Sequence, residues 1–223
     1  MINRYRDGDV EVIQIDRHER RNALDVEHCA ALRDAVESAT SDAARVIMIT
    51  GAGSSFCAGA DLGTVYGAEF RDALYAMLAA LTGTPVPVLA FVNGPAIGAG
   101  TQLALACDLR VAAPGARFAV PTARNGLAVD PWTIRRLALL AGGGAARAML
   151  IGCDTLDANR AFDRGLVDRL ADHSHALAWA REIAGFAQLT LAYSKRALNH
   201  LLEPPVDETE LGTMFDAVWA TRE

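Results

Sequence analysis

The sequence lacks features that mark several classes of protein. Its 21 lysines and arginines are scattered along the chain and its formal net charge is −6, whereas a nucleic-acid-binding surface needs clustered basic residues. It has no uninterrupted apolar run long enough to span a membrane, and it does not open with a charged segment followed by an apolar one. We therefore expect no nucleic-acid partner and no membrane span.

Cysteine pairs and metal-ligand spacings are missing as well. The four cysteines lie far apart and form no CxxC pair; they are Cys29, Cys57, Cys107 and Cys153. This usage predicts reduced, partly buried thiols in a cytoplasmic protein. His173 and His175 have no third ligand nearby in the sequence, so no metal site is predicted.

The chain does contain enough apolar residues for a substantial core. It has 223 residues, of which 52% are hydrophobic and 22% charged, which fits one large domain or two small ones and excludes disorder. The segment "VEVIQID" (10–16) alternates like a half-buried strand, and Asp25 is a suitable N-cap for a helix that runs to about Thr40. Further short strands are predicted at 45–50, 88–92, 109–113 and 117–120.

The pattern changes at Pro131. Beyond it, several segments have the apolar spacing of helices, the last of them at 207–220, and only 166–170 is typical of a strand. The sequence therefore predicts an α/β fold, with ββα and βα units over residues 1–130 and a helical region over 131–223 that together form one functional unit.

Two glycine-containing loops follow predicted strands. The first, "GAGSSF" (51–56), supplies two glycines of the GxGxxG dinucleotide fingerprint but has Phe56 in place of the third, and neither loop contains the GK[ST] of a P-loop. The second, "NGPAIGAG" (93–100), leads into an apolar helix whose first turn holds an amide side chain, Gln102. Such loops are either plain tight turns, or they aim one backbone N–H each at a shared point and form an oxyanion hole.

These segments resemble those of a known family. "SSFCAGADL" (54–62) and "NGPAIGAGTQLALACDLRVAA" (93–113) are similar to the two signature segments of the crotonase superfamily, the enoyl-CoA hydratases and isomerases. The flanking segments "RHERRNAL" (17–24), "DANRAFDRGLVDRL" (157–170) and "SKRALN" (194–199) also resemble family segments. The resemblance implies a crotonase-like ββα spiral core with a helical C-terminal region, assembled as a homotrimer or a dimer of trimers.

The resemblance also implies where a CoA thioester would bind. Its carbonyl oxygen would meet the backbone N–H groups of Ala60 and Ala99, since alanine in place of the usual second glycine keeps the N–H. The residues implied for CoA are Arg20, Arg21, Ala23, Ala58, Asp61, Leu62 and Lys195. For the charged members of this set the alternatives stay open: the arginines and Lys195 are also typical of solvated surface, and Asp61 of a residue that orders its loop.

The two glutamates of the family's hydratases are replaced in this sequence. The positions they would occupy hold Gln102 and Thr122. An amide can hydrogen-bond water or a thioester, but it cannot accept a proton at neutral pH. The resemblance therefore implies an oxyanion hole without its general base, and hydration that is weak or absent.

Asp130 is a carboxylate that could replace the missing glutamates as a catalytic group. The resemblance implies a base or nucleophile, as an aspartate near this position is in dienoyl-CoA isomerases and aryl-halide-displacing relatives. The Asp-Pro pair predicts the N-cap of a helix beginning at Pro131, and the two roles are not exclusive. The sequence around it, "GLAVDPWTIRRL" (126–137), resembles a hydratase-like branch linked to long-chain fatty acid synthesis. That implies a carrier of fatty acyl-CoA or enoyl-CoA with lipid-synthesis enzymes as partners, and no cofactor beyond the CoA of the ligand. The alternative is an enoyl-CoA isomerase, or a slow hydratase, that uses Asp130.

Overall fold

The computed structural model describes residues 1–61, 63, 68–201, 213 and 216. The strands of these residues are β1 Ile2–Asp7, β2 Val10–Ile15, β3 Val46–Gly51, β4 Val88–Val92, β5 Pro95–Ile97, β6 Leu109–Ala112, β7 Arg117–Ala119, β8 Thr155–Asp157 and β9 Arg169–Leu170. The helices are α1 Val26–Ser41, α2 Ala68–Gly83, α3 Ala99–Ala106, α4 Pro131–Ala141, α5 Gly143–Leu150, α6 Ala158–Asp163, α7 His173–Ala184 and α8 Gln188–His200. Short 3-10 helices cover His18–Arg20 and Thr122–Asn125.

The strands form two sheets. The larger has the order β1-β2-β3-β4-β6-β9, and every neighbouring pair is parallel except the β1/β2 hairpin. The smaller has the order β5-β7-β8, with β7 and β8 antiparallel. Because β1, β2 and α1, then β4, β5 and α3, then β6, β7 and α4 follow one another, the chain repeats a ββα unit. The expected α/β fold is confirmed.

Both faces of the large sheet are covered at its central strands, which explains the uninterrupted apolar runs of β3 and β4. In β3, Ile47 and Ile49 face the large core cluster that also contains residues of α1, α2 and α3. The alternate residues Val46 and Met48 face a second cluster with α7. A parallel strand buried on both faces has no polar side, and the segment 46–51 is accordingly buried throughout.

Several sequence predictions are confirmed and others need correction. Asp25 caps α1 by accepting from the His28 N–H at 2.9 Å, and all four cysteines are buried and free. Burial raises the pKa of the Cys29, Cys57 and Cys107 thiols to about 12. The sequence interpretation missed β1, α2, β5, α5 and β8, and the predicted strand 166–170 is only β9.

The helical part of the chain also contributes to the sheets. Strand β9 is the edge of the large sheet, and β8 is the edge of the small one. Each sheet therefore contains strands from both parts of the chain. The expected division into 1–130 and 131–223 stays a prediction of organisation. The helix predicted over 207–220 lies outside the described residues except at positions 213 and 216. Within the described residues, no helix is both long and apolar enough to cross a membrane.

Candidate active site

The two glycine-containing loops meet at the carboxyl ends of β3 and β4. The Ile97 N–H donates to the Cys57 carbonyl at 2.9 Å, and the N–H groups of Phe56 and Cys57 both donate to the Pro95 carbonyl at 3.1 Å. On its other side, the second loop is fixed by Gly98, whose N–H donates to the Ala119 carbonyl of β7 at 2.8 Å. The loops therefore form one hydrogen-bonded unit.

The three glycines of the second loop, the last of which lies in the first turn of α3, are each required by the local geometry. A Cβ on Gly94 would overlap the carbonyl oxygen of Ser54, and one on Gly100 would overlap that of Cys57. Gly98 is the N-cap of α3 and has φ +54°, a conformation that favours glycine. Two of these glycines allow contact between the loops, and the third allows the sharp entry into the helix.

The amides of Ala60 and Ala99 are two donors at this junction that have no acceptor in the described residues. Leu24 forms hydrogen bonds with the Gly59 carbonyl and the Asp61 N–H, at 2.8 and 2.7 Å, so the Ala60 N–H between them points to the opposite side of the chain. Ala99 is the first residue of α3, where an N–H has no acceptor inside the helix. Within the described residues, neither N–H donates a hydrogen bond. Both residues line the same cavity.

This cavity has a volume of about 220 Å³ and mostly apolar walls. It is lined by Ala58, Gly59, Ala60, Phe70, Arg71, Leu74, Tyr75, Ile97, Gly98, Ala99, Gln102, Pro121, Thr122, Asn125, Leu127, Ala128 and Val129. Among these lining residues Arg71 carries the one formal charge, and there is no aspartate or glutamate. As far as the described residues line it, the site thus offers hydrogen-bond donors and an apolar wall without a carboxylate.

Gln102 and Thr122, at the positions where the resemblance expects glutamates, both line this cavity. Gln102 lies on α3 with 4% of its surface exposed. Its Nε2 donates to Thr133 Oγ1 at 2.9 Å and to Asp130 Oδ2 at 3.2 Å. Thr122 begins the 3-10 helix Thr122–Asn125 and accepts the Leu127 N–H with its carbonyl at 2.9 Å.

Asp130 does not line the cavity, and its carboxylate is used within the protein. Its Oδ1 accepts the Thr133 N–H at 3.0 Å, which caps α4, and its Oδ2 accepts the Thr133 hydroxyl at 2.6 Å. Pro131 at the first helical position completes the expected helix start. The N-cap interpretation of Asp130 is confirmed. Burial, followed by the charge of Asp130, raises the pKa of the nearby Tyr75.

The segment 17–24 packs on the first loop, as its place in the resemblance implies. Arg21 accepts the Ala58 N–H with its carbonyl at 3.0 Å, while its side chain and that of Arg20 are exposed. Ala23 is buried, and its carbonyl accepts from Arg17 Nη1 at 3.1 Å. Ala58 lines the cavity. Leu62 lies outside the described residues.

Two residues that sequence reasoning missed order this region. Arg17 forms ion pairs with Asp25 and Asp61, at 3.2 and 3.0 Å, and so links the segment to the loop of Ala60. Asn22 is fully buried, and its Nδ2 donates to the carbonyls of Ala52 and Ser55. The Asp61 contact supports its role in ordering the loop. In the described residues, no cluster of three or more metal-binding side chains is present.

Lys195 occupies neither of the positions expected from the sequence. Its side chain is 5% exposed, and Nζ lies 2.9 Å from Asp108 Oδ2. Nζ also donates to the carbonyls of Leu81 and Val86 at 2.8 and 2.9 Å. An ammonium group has three protons, and these three acceptors use them all. Lys195 is therefore a buried structural cation, so phosphate contact and a solvated position are both wrong for this residue.

The sequence interpretation also missed one wall of the cavity. Phe70, Arg71, Leu74 and Tyr75 belong to α2, which was not predicted. The sequence does carry the helical spacing of apolar residues that predicts α2. These residues are all buried in the structure: Phe70, Leu74, Met77, Leu78 and Leu81.

Comparison with known proteins agrees with this geometry. The family model for enoyl-CoA hydratase/isomerase matches residues 6–217. A protein of Mycobacterium leprae named "Probable enoyl-CoA hydratase echA6" is 43% identical over 221 residues, covering 96% of this chain and 89% of that protein. Crotonyl-CoA hydratase of Syntrophomonas wolfei is 33% identical over 208 residues, covering 88% of this chain and 80% of that protein.

Solved structures agree as well. An enoyl-CoA hydratase/carnithine racemase from Magnetospirillum magneticum has a TM-score of 0.85 at 28% identity, covering 96% of this chain and 86% of that one. An enoyl-CoA hydratase/isomerase from Pseudoalteromonas atlantica also has a TM-score of 0.85, at 29% identity, covering 98% of this chain and 90% of that one. The chain has the crotonase fold and belongs to the enoyl-CoA hydratase/isomerase family.

Proposed function

We propose that the cavity binds a fatty acyl-CoA or enoyl-CoA thioester, with its carbonyl oxygen at the N–H groups of Ala60 and Ala99. The observation that carries this proposal is that two donors, each without an acceptor in the described residues, line one apolar cavity. Such donors stabilise negative charge on a carbonyl oxygen. The apolar wall from α2 suits an acyl chain.

The CoA part would follow the segment 17–24 and the loop of Ala60. Ala23, Ala58, Asp61 and Leu62 would line its path, and the exposed arginines Arg20 and Arg21 would meet its phosphates. These arginines are free to move toward a ligand, unlike Lys195, which we leave out of the site.

We further propose that hydration is weak or absent. A positioned acid or base contributes about 10²–10⁴-fold in rate, and neither Gln102 nor Thr122 can serve as one at neutral pH. Asp130 would have to leave Thr133 and Gln102 before it could reach a substrate. The alternatives that use Asp130, an isomerase or a slow hydratase, are therefore less well supported.

These features favour a role in fatty acid metabolism as a carrier that holds acyl-CoA and delivers it to lipid-synthesis enzymes. A protein with an oxyanion hole and no base can hold a thioester without converting it. The proposed working form is a homotrimer or a dimer of trimers in the cytoplasm, which sedimentation can test.

Proton NMR of trans-2-enoyl-CoA in D₂O with sub-stoichiometric purified protein tests this function. Broadening of the acyl signals without chemical change is the expected result, with short and long chains compared. Growth of 3-hydroxyacyl signals would overturn the loss of hydration. Migration of the double bond, or deuterium uptake beside the thioester, would assign Asp130 as a working base. Unchanged line widths at all protein concentrations would reject acyl-CoA binding itself.

A further inference from the structure

The side-chain amide of Gln102 is held in one orientation by its neighbours. Its Nε2 lies 2.9 Å from Thr133 Oγ1 and 3.2 Å from Asp130 Oδ2. The Thr133 hydroxyl already donates its proton to Asp130 Oδ2 at 2.6 Å, so toward Gln102 it can only accept. An ionised carboxylate also only accepts. A reversed amide would place its oxygen against two acceptors, and the NH₂ group must therefore face Asp130 and Thr133.

The oxygen of the same amide consequently points elsewhere. Within the described residues Gln102 Oε1 accepts no hydrogen bond. It is not one of the fully buried side-chain atoms without a partner, so part of its surface is exposed. Gln102 lines the cavity, so its oxygen is accessible from there. Gln102 also lies one helical turn after Ala99, and helix side chains lean toward the N-terminus of their helix. Gln102 and the proposed carbonyl-binding amide of Ala99 thus lie in the same turn of α3 and line the same cavity.

We propose that Asp130 and Thr133 are positioning residues that hold Gln102 Oε1 toward the cavity as a fixed hydrogen-bond acceptor. This inference rests on the proposed binding of acyl-CoA. A fixed acceptor near the thioester carbonyl selects acyl chains that carry a hydroxyl there, because a hydroxyl donates to it. It disfavours chains with a keto oxygen at the same carbon, since two acceptors would face each other.

The test compares three ligands of one chain length: hexanoyl-CoA, 3-hydroxyhexanoyl-CoA and 3-oxohexanoyl-CoA. Their dissociation constants are measured by isothermal titration calorimetry with the full-length protein. One hydrogen bond made or lost corresponds to about a fivefold change in affinity. We expect the wild-type protein to bind the hydroxy ligand about fivefold or more tightly than the oxo ligand.

Asp130→Asn is the decisive variant. Asparagine caps a helix about as well as aspartate, so α4 should remain folded. The side chain of the introduced asparagine keeps one oxygen for the cap and presents its NH₂ group to Gln102. The amide of Gln102 then turns over, with its oxygen toward α4 and its NH₂ group toward the cavity. The ratio of the two dissociation constants should fall to about one or reverse. A loss of stability alone would weaken both ligands equally and leave the ratio unchanged.

Asp157→Asn is the matched control. Asp157 caps α6 in the same way, accepting the Arg160 N–H at 2.9 Å, and it does not line the cavity. This variant should keep the wild-type ratio. Equal binding of all three ligands by the wild type would overturn the inference and leave the proposed function intact. An unchanged ratio in Asp130→Asn would overturn the positioning role. Failure of the wild type to bind any of the three would instead reject the proposed function.

Discussion

Gly100 contacts the backbone of Cys57 so closely that even a methyl group does not fit between them. The contact sits beside the hydrogen bond from the Ile97 N–H to the Cys57 carbonyl. Together they set the spacing of the loops that carry Ala60 and Ala99. The identity of one glycine therefore determines the geometry of the candidate site.

Replacing this glycine should damage both the fold and the site. Gly100→Ala forces the Cys57 carbonyl to move, and overpacking of this kind costs about 1–3 kcal/mol in the free energy of unfolding. We expect urea unfolding monitored by circular dichroism to show this loss, together with weaker acyl-CoA binding. Gly144→Ala in α5 is the control, since nothing lies within 4 Å of its added Cβ. That substitution should be neutral or stabilising, and equal effects of the two variants would contradict the packing argument.

Removing the Ala99 N–H should weaken acyl-CoA binding selectively. Ala99→Pro deletes the donor at the first helical position, where proline is tolerated. The preceding Gly98 has ψ −116°, outside the helical region that a following proline disfavours. We expect the affinity for hexanoyl-CoA to fall about five- to tenfold. The affinity for free CoA, which has no thioester carbonyl, should stay the same.

Val26→Pro is the matched control for this variant. Val26 is the first residue of α1, follows the extended Asp25, and does not line the cavity. Its substitution should change neither affinity. If Ala99→Pro weakened free CoA as much as hexanoyl-CoA, the effect would be structural and the donor role would be lost.

Much of the fold could be predicted because single segments carry the signals. The apolar run in β3, the cap at Asp25 and the Asp-Pro start of α4 are local patterns, and each is confirmed. Helix α2 has a local pattern that was overlooked, whereas the missed strands lack such a pattern or depend on partners. Strand β1 is largely polar and exposed, and it exists through its hairpin with β2. Strand β5 has three residues and pairs with a strand about twenty residues later.

The candidate site was likewise predictable only in part. The loops and their glycines could be recognised from spacing and resemblance, but contacts between distant segments could not. The bond between Gln102 and Thr133 joins residues 31 positions apart, and Lys195 bonds the Leu81 carbonyl 114 positions away. Such pairs follow from packing of α3 on α4 and of α8 on the end of α2. No local rule predicts them from one sequence.

Lys195 should contribute to stability and not to ligand binding. It is the only lysine in the sequence, and it neutralises Asp108 inside the protein. Lys195→Met leaves Asp108 and two carbonyls without this donor, and breaking a buried ion pair costs about 3 kcal/mol. Urea unfolding should show a loss of this size, while acyl-CoA affinity stays unchanged under native conditions.

The neighbouring residue provides the control for this change. Arg196 is exposed, so Arg196→Met should alter the free energy of unfolding by less than about 0.5 kcal/mol. A marked loss of CoA affinity in a folded Lys195→Met protein would show instead that Lys195 reaches the ligand.

A glutamate at position 102 should lower the free energy of unfolding by an amount that depends on pH. Gln102→Glu places a second carboxyl group where Nε2 now lies 3.2 Å from Asp130 Oδ2. Two carboxylates at this distance do not both ionise readily, so the pKa of the introduced group rises above its usual value of about 4.3. The folded state then holds a proton that the unfolded chain releases, and stability falls as pH rises through this range. A tenfold difference in proton affinity between the folded and unfolded chains corresponds to about 1.4 kcal/mol.

The measurement is the free energy of unfolding of Gln102→Glu relative to wild type at pH 5 and pH 8. The variant should be less stable relative to wild type at pH 8 than at pH 5. Adding Asp130→Asn removes the second carboxylate, and the double variant should show a smaller pH dependence, because only the burial of the new carboxyl remains. If the single variant showed no difference between the two pH values, its new side chain would have turned away from Asp130. The tight coupling between α3 and the N-terminus of α4 would then not constrain position 102.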